Sequence, residues 1–118
     1  MKTLAFFNNK GGVGKTTLLY HLAWMFADMG KRILVADLDP QANLTSMFLT
    51  EPELERLWDP DNTQDQSVIA ALSPIIRGLG DIGPAPTQRI APNLQLVPGD
   101  LNLSNFESNL SEAWANAS

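Results

Sequence analysis

The chain has 118 residues, of which 44% are hydrophobic and 18% charged, with a formal net charge of -5. The charged fraction is below the roughly 25% of typical soluble domains, which predicts one globular domain over residues 1–118 and excludes disorder over the whole length. The negative charge provides no global field that would attract nucleic acid or anionic lipid, so a polyanion must be held locally.

Cysteine is absent from the chain, which excludes disulfides and thiolate metal sites within it. No apolar run approaches the roughly 20 residues needed to span a bilayer, and the amino terminus shows no export signal. The sequence therefore fits a cytoplasmic protein without a membrane partner.

The amino-terminal third predicts one strand–loop–helix–strand unit. Residues 3–7 form an unbroken apolar run that predicts a buried strand, and a glycine-rich loop follows directly. Between residues 16 and 29 apolar side chains recur at helical spacing, and Gly30 stands where a left-handed residue would end the helix. Ile33–Ala36 is continuously apolar, which predicts a parallel strand covered on both faces.

The rest of the chain carries weaker signals. Thr50, followed three residues later by Glu53, predicts a capping box that opens a short helix. Val68–Ile76 is apolar and favours a helix, residues 78–92 are predicted to be a loop, and Leu94–Val97 is predicted to be a third strand. A similar capping pattern predicts a final helix from residue 104.

Residues 8–17, NNKGGVGKTT, have the composition of a phosphate-binding loop. Gly11, Gly12 and Gly14 leave backbone N–H groups free to curl around a phosphate, and the following helix offers its positive end to the same anion. Lys15 is placed to reach the β- and γ-phosphates, and the hydroxyl of Thr16 is placed to ligate Mg²⁺. Thr17 can donate to a phosphate nearer the nucleoside.

The loop departs from the usual pattern G-x-x-x-x-G-K-[ST], because Asn9 replaces its first glycine. It matches K-G-G-x-G-K-[ST], with Val13 at the variable position, and in this the chain resembles the ParA/MinD family of P-loop ATPases. The resemblance implies that Lys10 reaches across a dimer interface to the nucleotide of the partner subunit. The alternative is that Lys10 is a solvated charge beside a glycine turn.

Two carboxylates follow the second predicted strand in the segment VADLDPQANLT. Asp37 and Asp39 lie at the carboxyl end of that strand, the edge where open parallel sheets bind ligands. The resemblance implies that Asp37 holds a magnesium-bound water and that Asp39 orients or activates the attacking water. The alternative is that one carboxylate caps the turn at Pro40 and the other is solvated.

Other residues carry less specific signals. The segment DPQAN is similar to the DPQGN of the DNA-partitioning branch of the family, and Asn43 within it is a candidate interface or phosphate contact. The single histidine has no second metal ligand at helical spacing, the tryptophans favour core or interface positions, and the aspartate of PGD favours a turn. These residues, to which we assign no chemical role, are His21, Trp24, Trp58, Asp100 and Trp114.

The resemblance implies an α/β P-loop NTPase fold, with a parallel sheet between two layers of helices. It also implies a chain that stops before the strand bearing the second magnesium-site aspartate (the Walker B strand). The implied cofactors are ATP and Mg²⁺, and the implied function is DNA partition through an ATP-dependent sandwich dimer in the bacterial cytoplasm, associated with the nucleoid. The implied partners are non-specific DNA, held by a carboxyl-terminal part absent here, and a ParB-like stimulating protein.

Two alternatives to this function stay open. One is a regulatory module whose ATP-bound dimer recruits another protein with negligible turnover, and the other is a non-functional truncated product. We expect residues 1–118 alone to be poorly folded and without ATPase activity, because strands without neighbours expose backbone edges.

Overall fold

The computed structural model describes residues 13–59, 61, 67–76, 78, 83–101 and 103. The elements within these ranges are α1 (Val13–Asp28), β1 (Ile33–Ala36), α2 (Asn43–Phe48), α3 (Glu51–Leu57), α4 (Val68–Ile76), β2 (Gln88–Ala91) and β3 (Leu94–Val97). The strand predicted at residues 3–7 and the helix predicted from residue 104 lie outside the described residues.

Helix α1 confirms the helix predicted from apolar spacing and begins three residues earlier. It ends as predicted at Gly30, which has a φ of 83°. The amide of Lys31 donates to the carbonyl of Phe26 at 3.0 Å, and the amide of Gly30 donates to that of Ala27 at 3.0 Å. This is the Schellman arrangement, in which a left-handed glycine lets the chain satisfy the last helical carbonyls.

The described strands form one mixed sheet in the order β1-β3-β2. β1 and β3 run parallel, with Val35 opposite Leu96. β2 runs antiparallel to β3 with an irregularity between Arg89 and Ala91. The prediction of a loop over residues 78–92 was therefore wrong for residues 88–91. Their pattern was hidden because an edge strand of four residues with a bulge leaves no sustained alternation.

Helices pack on both faces of this sheet. On one face Val35 and Leu96 pack in a core with Ala23 and Ala27 of α1. On the other face Val97 packs with Val68 of α4 and with Leu103. The predicted α/β class with helices on both sides of the sheet is confirmed, but the described sheet is mixed and not purely parallel, because β2 runs antiparallel to β3.

Burial of β1 on both faces was predicted and is wrong. Leu34 is 62% exposed, and Ala36 is also exposed, whereas Val35 between them is buried. Within the described ranges, α4 and Leu103 cover Val97 but leave the same face of β1 open. β1 is also an outer strand of the described sheet.

Helix α3 begins with the predicted capping box. The hydroxyl of Thr50 accepts from the amide of Glu53 at 3.4 Å, and the amide of Thr50 donates to Oε1 of Glu53 at 2.9 Å. The pKa of the Glu53 carboxyl is lowered below its ordinary value, mainly by the hydrogen bond from the Thr50 backbone and secondly by that from the Thr50 side chain. The helix start is thereby strengthened while this carboxyl is ionised.

Candidate functional site

The amino end of α1 and the carboxyl end of β1 lie at the same edge of the sheet. At the opposite edge, the side-chain amide of Asn93 donates to the carbonyl of Ala27 near the end of α1 at 3.4 Å. The carbonyl of Asn93 accepts from the amide of Ile33, the first residue of β1, at 2.7 Å. Since α1 packs along the sheet and its end meets the strand starts, its beginning points toward the strand ends.

The described part of the phosphate loop is the first turn of α1. Gly14 and Lys15 are exposed, and Thr16 and Thr17 are half-buried. A Cβ added to Gly14 would meet no atom within 4 Å. No described protein atom therefore requires glycine here, whereas close approach of a bound phosphate would.

Four predicted loop contributions lie outside what the structure describes. Lys10, Gly11 and Gly12 precede the described residues, and the side chain of Val13 is likewise outside them. Their roles stay predictions.

Asp37 directly follows β1 and is only 3% exposed. Its Oδ2 accepts two hydrogen bonds from Thr45, one from the backbone amide at 2.8 Å and one from the hydroxyl at 2.6 Å. Its Oδ1 accepts from the amide of Asp39 at 3.2 Å. The alternative of a solvated carboxylate is therefore wrong for Asp37.

The two oxygens of Asp37 are consequently not equivalent. Oδ2 has two short hydrogen bonds, which occupy the acceptor directions that a carboxylate oxygen offers. Oδ1 has one long hydrogen bond and retains acceptor capacity. Of the two, Oδ1 is the oxygen suited to a metal ion or a metal-bound water.

Asp39 is half-buried and shapes the turn at Pro40. Its Oδ1 accepts from the amide of Gln41 at 2.9 Å, which is the side-chain turn expected of an aspartate before proline. The turn-capping alternative thus describes part of what Asp39 does. Asn43 nearby is exposed and donates to the side chain of Gln41 at 3.1 Å.

Thr45 is a residue of this site that sequence reasoning missed. It lies in α2 with 0% exposure, and its hydroxyl oxygen accepts from the amide of Gly99 at 2.8 Å. Helix α2 starts after Ala42, whose side chain cannot cap it, and Asp37 provides the acceptor for the Thr45 amide. The sequence shows a threonine eight residues after Asp37, but its burial and its hydrogen bonds to Asp37 arise only in the fold.

Gly99 follows β3 and packs directly against the buried carboxylate. A Cβ placed on it would lie 3.0 Å from both Cγ and Oδ2 of Asp37. The carbonyl of Gly99 accepts from the indole N–H of Trp58 at 3.1 Å. Trp58 therefore supports the segment after β3 and packs against the core, which agrees with the core or interface position predicted for it.

The residues on either side of Gly99 connect the sheet to α4. The carbonyl of Pro98 accepts from the amide of Val68 at 2.7 Å, and Oδ2 of Asp100 accepts from the hydroxyl of Ser67 at 2.7 Å. Asp100 therefore contacts the start of α4, consistent with the structural role expected of it.

Two other residues without an assigned role are in α1. His21 is exposed and meets the ring of Tyr20 edge-on, with ring centroids 5.4 Å apart. Trp24 packs against the core beside Phe48, with ring centroids 6.4 Å apart.

A surface groove of about 780 Å³ lies between α3 and the segment that leads into β2. It is lined by Glu53, Arg56, Leu57, Asp59, Pro86, Thr87 and Gln88. None of the predicted site residues lines this groove, and it contains no phosphate-binding pattern. We therefore assign the candidate site to the start of α1 and the segment that follows β1.

The donor set at this edge fits Mg²⁺ bound together with a nucleotide. The described residues contain no group of three or more histidine, cysteine or carboxylate side chains that could hold a metal by itself. Mg²⁺ usually takes one or two carboxylates and completes its shell with substrate phosphates and waters.

Among the helices that the structure describes, none has the length and apolarity of a membrane span.

Comparison with known sequences places the chain in a family. A family model described as "AAA domain" matches residues 1–117. A "Putative replication protein A" of Rhizobium rhizogenes is 36% identical over 121 residues, which cover 98% of this chain and 27% of the relative. A "Chromosome partitioning protein ParA" of Caulobacter vibrioides is 30% identical over 112 residues, covering 95% of this chain and 37% of the relative.

Two solved structures resemble the fold. A Corynebacterium diphtheriae protein matches with a TM-score of 0.83 and 38% identity, covering 99% of this chain and 41% of that protein. Cobyrinic acid a,c-diamide synthase from Mycobacterium smegmatis, solved with bound ADP and magnesium, matches with a TM-score of 0.58 and 25% identity, covering 95% and 44%. The chain thus spans less than half of each of these relatives.

Proposed function

This chain belongs to the ParA/MinD family of P-loop ATPases, and we propose that it supplies the phosphate-binding part of a site that binds and hydrolyses ATP with Mg²⁺. The observation that carries the proposal is the placement of Gly14, Lys15 and Thr16 at the same sheet edge as Asp37. A cation, a helix amino end and a carboxylate with acceptor capacity are the groups that a magnesium–polyphosphate ligand requires.

Each residue would contribute a specific interaction. Lys15 would neutralise charge on the terminal phosphates, and the backbone around Gly14 would donate to phosphate oxygens. Thr16 and Oδ1 of Asp37 would hold Mg²⁺ or its waters. When bound, Mg²⁺ supplies charge neutralisation on the phosphates.

Asp39 would orient the water that attacks the γ-phosphate. Its Oδ1 accepts from the amide of Gln41, and its own amide donates to Asp37. These two hydrogen bonds fix the backbone of Asp39 relative to Asp37. The carboxylate of Asp39, which would orient the water, would therefore lie at a defined position beside the carboxylate of Asp37, which would hold the metal.

Dimerisation and DNA partition form the rest of the proposal. Lys10 would reach the nucleotide of a second copy in an ATP-dependent sandwich dimer and would stabilise transition-state charge there. The dimer would bind DNA in the bacterial cytoplasm at the nucleoid, and a ParB-like partner would stimulate hydrolysis. The support for this part is the resemblance to relatives named for chromosome partition.

Turnover by the full-length protein tests the proposal. Phosphate release should require Mg²⁺, rise with DNA and partner protein, and disappear in Asp39→Ala while ATP binding persists. Asp28→Ala is a matched control, because Asp28 is an exposed aspartate at the end of α1. Lys15-dependent ATP binding without turnover under any condition would instead favour the recruitment module, and turnover unaffected by Asp39→Ala would contradict the role of Asp39.

A further inference from the structure

We propose that Thr45 is a positioning residue for the magnesium site, which it serves by holding the Asp37 carboxylate so that Oδ1 faces the ligand. This inference rests on the proposed function. It adds a role for Thr45, which would contact neither the nucleotide nor the metal. The hydroxyl of Thr45 lies between Oδ2 of Asp37 and the amide of Gly99.

The direction of the Thr45 hydroxyl proton follows from its neighbours. The amide of Gly99 can only donate, so the Thr45 oxygen must accept there at 2.8 Å. The single hydroxyl proton is left for Oδ2 of Asp37, at an oxygen–oxygen distance of 2.6 Å. That separation is within the range of an O–H···O hydrogen bond.

The arrangement determines which Asp37 oxygen is available. Both hydrogen bonds from Thr45 reach Oδ2, so rotation of the carboxylate about its Cβ–Cγ bond would break both. Gly99 lies beside the same oxygen, where a side-chain Cβ would come within 3.0 Å of it. Oδ1 is consequently held in one orientation before any ligand arrives, which reduces the cost of ordering the site on binding.

The dependence of ATP binding on Mg²⁺ distinguishes positioning from a purely structural role. Thr45→Val keeps the shape and the backbone amide but removes the hydroxyl, so the Asp37 carboxylate loses one donor and the Gly99 amide loses its acceptor. Removing a group that hydrogen-bonds a metal-binding carboxylate typically lowers the affinity for the metal by about 10–100-fold. ATP binding without Mg²⁺ depends on the phosphate loop and should not change.

The experiment titrates a fluorescent ATP analogue onto the full-length protein, with EDTA and at increasing Mg²⁺. For Thr45→Val we expect affinity in EDTA within about twofold of wild type and a half-saturating Mg²⁺ concentration raised at least about tenfold. Thr45→Ser, which retains both hydrogen bonds, should match wild type. Thr50→Val is the matched control, because it removes an exposed helix-capping hydroxyl away from the site and should lower stability without altering the Mg²⁺ requirement.

Each outcome decides the inference. An unchanged Mg²⁺ requirement in Thr45→Val, or a tenfold change in Thr45→Ser, would overturn it. If Thr45→Val does not fold, Thr45→Ala takes its place with the same expected result. Failure of the proposed function is recognised separately, because wild type would then show no Lys15-dependent ATP binding even in EDTA.

Discussion

Replacement of Gly99 by alanine should displace the Asp37 carboxylate and destabilise the protein. The new Cβ would lie 3.0 Å from Cγ and Oδ2 of Asp37 and 3.2 Å from its carbonyl oxygen, whereas ordinary contact begins at 3.4 Å. Relief requires a shift of about 0.4 Å, by the difference between these distances. Asp37 cannot move easily, because three hydrogen bonds hold its carboxylate.

The magnitude follows from two costs. Forcing an extra methyl group into a packed site costs about 1–3 kcal/mol. If the strain is relieved by lengthening a hydrogen bond to the carboxylate, part of an interaction of about 1.5–3 kcal/mol is lost instead. We therefore expect Gly99→Ala to lower the free energy of unfolding by about 2 kcal/mol, a roughly 30-fold shift toward the unfolded state.

Urea denaturation of the full-length protein, followed by circular dichroism, measures this change. Gly14→Ala is the matched control, because its Cβ would meet no atom within 4 Å. It should leave the free energy of unfolding within about 0.5 kcal/mol of wild type but weaken ATP binding. The packing argument fails if Gly99→Ala is as stable as Gly14→Ala.

Three further predictions test other parts of the account. Lys10→Ala should leave monomer affinity for ATP nearly intact and reduce ATP-dependent dimerisation, measured by calorimetry and analytical ultracentrifugation; equal loss of affinity in Lys10→Ala and Lys15→Ala would place Lys10 in its own site. Asp39→Ala should accumulate ATP-bound dimers, and a dimer lifetime equal to that of wild type would contradict its role. Because the folded-state pKa of Glu53 is lowered, its stabilising effect is present above the ordinary pKa of 4.5 and is lost as the pH falls through the folded value. The melting temperatures of wild type and Glu53→Gln should therefore converge as the pH falls from above 4.5 through the lowered folded-state pKa, and a constant difference would refute the capping contribution.

Local signals predicted the elements that depend on neighbouring residues. The end of α1 at Gly30 and the capping box at Thr50 were both predicted and confirmed, because each is decided by hydrogen bonds within one turn of helix. The position of Asp37 after a parallel strand was likewise confirmed, since the apolar run of β1 ends directly before it.

The features that sequence reasoning missed depend on distant partners. Helix α2 starts after Ala42, which offers no capping oxygen, and the Thr45 amide instead uses a carboxylate eight residues earlier. β2 is defined by pairing with β3, because its own four residues carry no clear alternation. Thr45 and Gly99 are 54 positions apart, and a hydrogen bond at that separation has no local pattern.

The exposure of one face of β1 also depends on distant residues. An apolar run predicts burial, but it does not show which element of the fold packs on each face of the strand. Leu34 is exposed in the described structure while its neighbour Val35 is buried against α1.

We retain the prediction that residues 1–118 alone unfold without a cooperative transition, and a sharp calorimetric transition of the isolated monomer would contradict it.

Direct titration of ATP onto the full-length protein by calorimetry tests the central claim, that the amino end of α1 binds the phosphates. Wild type should bind in the presence of Mg²⁺, and Lys15→Ala should abolish binding because the phosphates lose their nearest full charge. Lys31→Ala is the matched control, since Lys31 is an exposed lysine beyond the other end of the same helix, and it should bind as wild type does. Undiminished ATP affinity in Lys15→Ala would contradict the account.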